Sequence, residues 1–308
     1  MIKTIPFEMV LITHVCMEYF HTLQPTDLDL SLAIAGHSAD ECVAYKYIDG
    51  QPYYLGFYFP QSYDKVNSYP AFVFIHGGGW SFRKIFDDQP HWQGDYLGFL
   101  ARYYANKGFV SVSIDYRLIK DGGQADGFGL IDCYEDCCDA MDFLYAHAKE
   151  YGIDPSSVYL LGESAGGYLA GAVATFHYDR QYSFKTTFLI NPISDLNDPK
   201  WGQYVSKGSN HKQLIGLSTQ EMIDFLSPVC QADEKTSPIV LIHGSSDVCV
   251  DPMHAKAFHQ KMSSLSNACD LHLLDKTNHA FLLAEYTKEQ HACRMGIRII
   301  DHQLHYLL

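Results

Sequence analysis

Six short runs of almost continuous apolar residues, 71–75, 109–114, 158–161, 187–190, 239–242 and 271–274, recur along the chain with longer segments between them. A strand with one wet face alternates apolar and polar residues, so runs without alternation point to strands buried on both faces. Segments between them carry helical spacing. The clearest covers residues 131–151, where Ile131, Tyr134, Cys138, Met141, Leu144, Tyr145 and Ala148 recur at steps of three and four. Gly152 reads as the stop that follows this helix, and Asp154-Pro155 as the turn into the next strand. Alternating strands and helices build a parallel sheet covered on both faces through right-handed crossovers. The fold class is therefore α/β.

Two more strands, residues 42–48 and 53–59, are rich in aromatic and β-branched residues and flank Asp49-Gly50-Gln51-Pro52. They predict a hairpin at a sheet edge and bring the expected strand number to eight. Residues 1–41 and 194–227 break the alternation. Connections that long are usually functional. Residues 219–226 look like a short capped helix, so both stretches are expected to form a small cap over the active site. With no repeat, low-complexity tract or long linker, residues 1–308 are expected to be one domain. The apolar terminal segment 286–308 is expected to pack on its own sheet.

Apolar residues make up 47% and charged residues 19%, which suits a globular protein and not a disordered one. Thirty-six acidic against 22 basic residues give a formal charge of −14, which repels polyanions. Lys84, Lys107 and Arg117 stand apart and form no basic stripe, so nucleic acid is excluded as a partner. The early apolar stretch 9–16 is broken by Thr13 and His14 and falls far short of the roughly 20 residues of a membrane span. Pro6 and Glu8 interrupt what a leader would need, and no leader is expected. Nine cysteines is an odd count. Cys133, Cys137 and Cys138 share a helical pattern without paired C-x-x-C spacing, so free thiols in a reducing cytoplasm are expected rather than a metal site.

Gly162-Glu163-Ser164-Ala165-Gly166 has the form G-x-S-x-G, and it lies between a predicted strand and the small-residue helix 166–175. A nucleophile raised on so sharp a turn needs small neighbours, and the helix start beneath it favours developing negative charge. His76-Gly77-Gly78-Gly79-Trp80 follows another strand end. Acyl transfer passes through an oxyanion, and backbone N–H groups reach it only where no side chain intervenes. The rival uses of such glycines are a plain turn or a phosphate cradle. Neither a Walker lysine nor G-x-G-x-x-G accompanies them.

A serine hydroxyl needs a base. Of sixteen histidines, His279 is favoured, because Asn278-His279-Ala280-Phe281 follows the last core strand, late in the chain. His243 reads as structural, His76 belongs to the glycine loop, and His291, His302 and His305 fall on the terminal helix. Asp247 follows the strand 239–242 and is favoured as the acid that orients the base. Asp251 is its rival, although Asp251-Pro252 has the pattern of a helix start.

On these motifs, together with Asp115-Tyr116-Arg117-Leu118, the chain resembles the hormone-sensitive-lipase-like branch of the α/β-hydrolases, which holds many bacterial acetyl esterases and carboxylesterases. The resemblance covers most of residues 42–308. It implies an α/β-hydrolase fold, an oxyanion hole at Gly78, Gly79 and Ala165, a Ser164-His279-Asp247 triad, a small ester as substrate, and no metal or organic cofactor. Tyr116 and Arg117 are assigned support. The chain departs from the family in lacking the proline that often follows Tyr-Arg-Leu, since Ile119-Lys120-Asp121-Gly122-Gly123 runs on instead. Similar motifs occur in arylformamidases and in prolyl-peptidase catalytic domains, so an amidase or small peptidase is the first alternative. A non-catalytic ligand-binding module on the same scaffold is the second.

Overall fold

The structure, a computed structural model, describes residues 38–81, 97–119, 128–177, 180, 182–205, 211–282 and 290–305. Outside these lie residues 1–37 of the expected cap, Lys84, the loop 120–123 and the terminal residues 286–289 and 306–308. The strands are β1 (Glu41–Ile48), β2 (Gln51–Tyr58), β3 (Tyr69–Ile75), β4 (Val110–Ile114), β5 (Ile153–Glu163), β6 (Thr186–Ile190), β7 (Ile239–Gly244) and β8 (Cys269–Leu274). They form one sheet in the order β1-β2-β4-β3-β5-β6-β7-β8. The pairs β1-β2 and β2-β4 are antiparallel, and every other pair is parallel. The helices are α1 (Gly98–Ala105), α2 (Leu130–Ala146), α3 (Ala165–Thr175), α4 (Pro199–Gly202), α5 (Thr219–Leu226), α6 (Pro228–Gln231), α7 (Met253–Ser264) and α8 (Gln290–His305). This is the α/β-hydrolase architecture that the apolar runs and motifs predict.

The unbroken apolar runs have their cause in two cores. Along β3, Ala71, Val73 and Ile75 enter one hydrophobic cluster with residues of α2, α3 and α7, while Phe72 and Phe74 enter a second with residues of α1 and α8. Each strand thus needs apolar side chains at both parities. On the second face Phe72 packs among Phe74, Tyr104, Phe109, Tyr159 and Phe188, with ring centroids 4.6 to 6.0 Å away. Helix α8 lays Ala292, Cys293, Ile297, Ile300 and Leu304 on that face, as expected of the terminal segment.

At the sheet edge the hairpin turns on Asp49 and Gly50, both with positive φ (49° and 80°), the conformation that a two-residue primed turn requires. Its second strand starts at Gln51 rather than Tyr53. Helix α2 ends at Ala146, earlier than the periodicity predicts, and Gly152 (φ 56°) turns the chain only after a further irregular stretch. The turn chemistry at Asp154-Pro155 sits inside β5. Asp154 accepts from the Ser156 N–H (2.9 Å), while Ile153 already pairs with Tyr69 across a register shift.

Strand order also places the chemistry. From β3 the chain steps outward to β4, then returns across β3 to lay β5 on its other side. Connections leaving the carboxyl ends of β3 and β5 therefore diverge, which opens a crevice at that edge. The glycine loop follows β3, and Ser164 follows β5.

The described part of the 194–227 insertion is anchored to α7. Ser194 Oγ donates to the His254 carbonyl (2.8 Å), and the Ser194 and Asp195 N–H groups donate to His254 Nδ1 (3.3 and 3.2 Å). The His254 proton thus sits on Nε2, facing Asp198 Oδ2 at 3.3 Å. Helix α5 has the predicted bounds, and Ser218 with Glu221 forms its capping box. Among the described residues no helix is long and apolar enough to cross a membrane.

Candidate active site

Ser164 occupies a sharp strand-to-helix turn with φ 57° and ψ −119°. That backbone is costly for a residue with a Cβ, of order 1–3 kcal/mol, and persists only where its surroundings enforce it. Two contacts do so. The Ser164 N–H donates to the Ile190 carbonyl at 2.8 Å, and the first turn of α3 presses on the end of β3. A Cβ on Gly166 would lie 2.1 Å from the Ile75 oxygen and 2.5 Å from that of His76, so only glycine allows this approach. Because the Ser164 N–H is spent on β6, the first free backbone donor at the helix start is that of Ala165.

His279 bridges the other two candidates. Its Nε2 lies 2.8 Å from Ser164 Oγ and its Nδ1 lies 2.7 Å from Asp247 Oδ2. Residues distant in the sequence meet because the two loops are laced together. The Ser246 N–H donates to the Thr277 carbonyl (2.9 Å), the Ser245 N–H to that of Leu274 (2.8 Å), and the Lys276 N–H to Ser245 Oγ (2.9 Å). Gly244 permits the contact, since a Cβ there would stand 2.4 Å from the Thr277 oxygen.

Asp247 is held from several sides. Oδ1 accepts the N–H groups of Cys249 and Val250 at 2.8 and 2.9 Å, and Oδ2 faces His279 and, at 3.3 Å, His243 Nε2. Burial pushes the Asp247 carboxyl upward, but the donors from His243, His279 and Val250 outweigh it and hold it well below the ordinary carboxylate range. Burial pushes His279 down, but hydrogen bonds to Asp247 and Cys249 and the charges of Glu163 and Asp247 carry it well above the ordinary imidazole value. The pair is built to hold positive charge on the ring. Asp251 lies outside it. Its side chain accepts the Met253 N–H (2.8 Å) at the start of α7, as the helix-start reading expects.

The glycine loop adopts positive φ at Gly78 (91°) and Gly79 (59°). Tyr116 supports it from below, donating to the carbonyls of His76 (2.8 Å) and Gly77 (3.3 Å) while its ring stacks on His76 at 4.3 Å. Arg117 is locked beneath by buried Asp136, with Nη2–Oδ1 at 2.7 Å. Trp80 then ties the loop to α3, the helix that Ser164 precedes, its indole N–H donating to the Ala165 carbonyl at 3.2 Å.

Several neighbours escaped the sequence reading. Glu163, buried beside Ser164, places Oε1 4.0 Å from His279 Nε2. Trp201 of α4 and the following Tyr204 pack on Trp80, at 5.9 and 5.2 Å between centroids. No sequence spacing announces that contact. The role of His243 had a weak signal, its position four residues before Asp247.

Against known proteins, the model of the BD-FAE family matches residues 55–262. A probable isoprenylcysteine alpha-carbonyl methylesterase of Oryza sativa subsp. japonica is 24% identical over 254 residues, covering 75% of this chain and 55% of that protein. The chain spans about half the length of the curated relatives of this kind. Among solved structures, Thermogutta terrifontis esterase 2 phosphoramylated by tabun superposes with a TM-score of 0.70 at 22% identity, covering 87% of this chain and 94% of that one. The propionate-bound form of the Thermogutta terrifontis esterase gives 0.68 at 23% identity, with the same coverage.

Proposed function

The chain belongs to the BD-FAE family, and from that membership we propose that it is a serine carboxylesterase acting on small, short-chain esters such as acetates. The observation that carries this reading is His279 joined to Ser164 and Asp247 by hydrogen bonds of 2.8 and 2.7 Å. Ser164 Oγ attacks the ester carbonyl as its proton passes to His279 Nε2, and the carbonyl oxygen becomes an oxyanion facing the N–H groups of Gly78, Gly79 and Ala165. His279 returns the proton to the departing alcohol. Water then repeats the sequence, losing a proton to His279 as it attacks, and the carboxylic acid leaves as Ser164 recovers its hydrogen. Matched ester and amide substrates of one acyl group test the reading. Ester turnover far above amide turnover is the expected result; amide preference would make the chain an amidase, and no turnover of either would make it a binding module.

Preference for a short acyl group is supported by the aromatic packing beside the glycine loop. Trp80 is fully buried under Trp201, Tyr204 and Tyr168, and Lys200 holds α4 to the acid loop by donating to the Cys249 carbonyl. On this reading the packed rings border the acyl side of the site, and the described part of the 194–227 insertion acts as the cap that limits the acyl chain. Trp201→Ala is expected to shift the optimum on graded nitrophenyl esters toward longer chains, raising kcat/KM for hexanoate relative to acetate by about tenfold or more, since each accommodated methylene is worth roughly 0.8 kcal/mol. An unchanged chain-length profile in the folded variant would remove Trp201 from that role. The eight described cysteines form no disulfide, which supports a reducing, cytoplasmic setting.

A further inference from the structure

We infer that His243 is a positioning residue of the triad, whose N–H, fixed by its hydrogen bond to Val250, is held close to the Asp247 oxygen that serves His279 and so moderates the basicity of the His279 ring. The inference rests on reading Asp247 as the triad acid. His243 is wholly buried at the end of β7. Its Nε2 lies 3.0 Å from the Val250 carbonyl, which only accepts, so the proton is on Nε2. The same nitrogen is 3.3 Å from Asp247 Oδ2, the oxygen that receives His279. Nδ1 is buried and finds no hydrogen-bond partner among the described residues, while the Val250 carbonyl at Nε2 holds the ring in the Nε2–H tautomer.

That one N–H donates to the Val250 carbonyl and also lies 3.3 Å from Asp247 Oδ2, close enough to act on the carboxylate through its positive end. Its bond to Val250 closes the turn whose N–H groups hold Asp247 Oδ1, and its approach to Oδ2 withdraws part of the charge that His279 would otherwise feel. Other groups facing the pair are Glu163, 4.0 Å from His279 Nε2, and the thiol of Cys249, which interacts electrostatically with His279. His254 of α7 lies near enough that a positive charge on either His243 or His254 would disfavour one on the other. Among the described residues, only His243 approaches the shared carboxylate oxygen alongside His279. With its donor removed and Oδ1 still gripped by two N–H groups, the carboxylate turns its full charge on His279, and protonation of the base strengthens. Activity needs the neutral base, so the acid limb of kcat/KM must move to higher pH.

The test compares His243→Phe, which keeps a ring but loses the donor, with His243→Gln, whose amide nitrogen reaches the Nε2 position. His243→Phe is expected to shift the acid limb upward by about half a unit to one unit, the range for one lost hydrogen bond, and His243→Gln to restore most of it. A limb that stays in place or moves to lower pH in folded His243→Phe overturns the inference. Should His243→Phe fail to fold, imidazole nitrogen NMR of the intact protein decides, because a His243 ring protonated on Nδ1 rather than Nε2 also overturns it. An Asp247→Asn variant run in parallel separates the two readings. Full activity there would refute Asp247 as the acid, whereas its loss alongside an unmoved limb in His243→Phe would refute His243 alone.

Discussion

Ser164→Ala is expected to lose kcat/KM on short-chain esters by about 10⁴- to 10⁶-fold while the protein keeps its fold. The size follows from what the hydroxyl does. On the proposed mechanism no acyl-enzyme forms without Oγ, and the remaining rate over water comes from the proposed oxyanion donors and substrate binding alone. The stability cost is small for a local reason. The hydrogen bond shown for Oγ is the one to His279 Nε2, and the strained φ of 57° is set by the Ser164 N–H on Ile190 and by the glycine contacts around it, none of which alanine disturbs. Comparing kcat/KM with the thermal midpoint checks this. Retained turnover in the folded variant would remove Ser164 from the chemistry.

Asp247→Asn carries the second large effect, about 10⁴-fold in kcat. Two backbone N–H groups, from Cys249 and Val250, hold the Oδ1 position and demand an acceptor there. The carbonyl of the introduced amide must take that place, which turns its NH₂ toward His279 Nδ1. A donor facing Nδ1 forces the imidazole proton onto Nε2, so the ring presents a donor to Ser164 where the reaction needs an acceptor. The same NH₂ also confronts the His243 N–H. Asp251→Asn provides the control: it acts on the helix cap at Met253 and is expected to leave kcat within about a factor of two, with at most roughly 1 kcal/mol of stability at stake. If Asp251→Asn were the inactive variant and Asp247→Asn the active one, the acid would have to be reassigned.

What the sequence made legible is what local physics dictates. Strands buried on both faces carry apolar residues at both parities, so β3, β6, β7 and the 158–161 part of β5 stand out without any knowledge of their neighbours, while β4 alternates its apolar residues with buried Ser111 and Ser113. The elbow at Ser164 and the close approach at Gly166 leave glycines in the sequence because no other residue fits. His279 and Asp247 were readable because they fall just past strand ends, where the edge of a parallel sheet gathers its loops. The misses have tertiary causes. Pairing of Ile153 with Tyr69 draws Asp154-Pro155 into β5 in spite of its turn chemistry, and α2 stops short of its periodic pattern although Ala148 and Tyr151 remain in the core. Trp201 meets Trp80 across more than a hundred residues with no period to betray it, and the supporting bonds of Tyr116 and His243 depend on register between strands, which composition does not encode.

The proposed nucleophile, Ser164, admits a direct measurement. Wild-type protein treated with a fluorophosphonate, digested and analysed by mass spectrometry should carry one adduct, on the peptide containing Ser164, and His279→Ala should label far more slowly. No adduct on native protein, or an adduct on another side chain such as Cys249 with Ser164 unmodified, would contradict an activated serine at this turn.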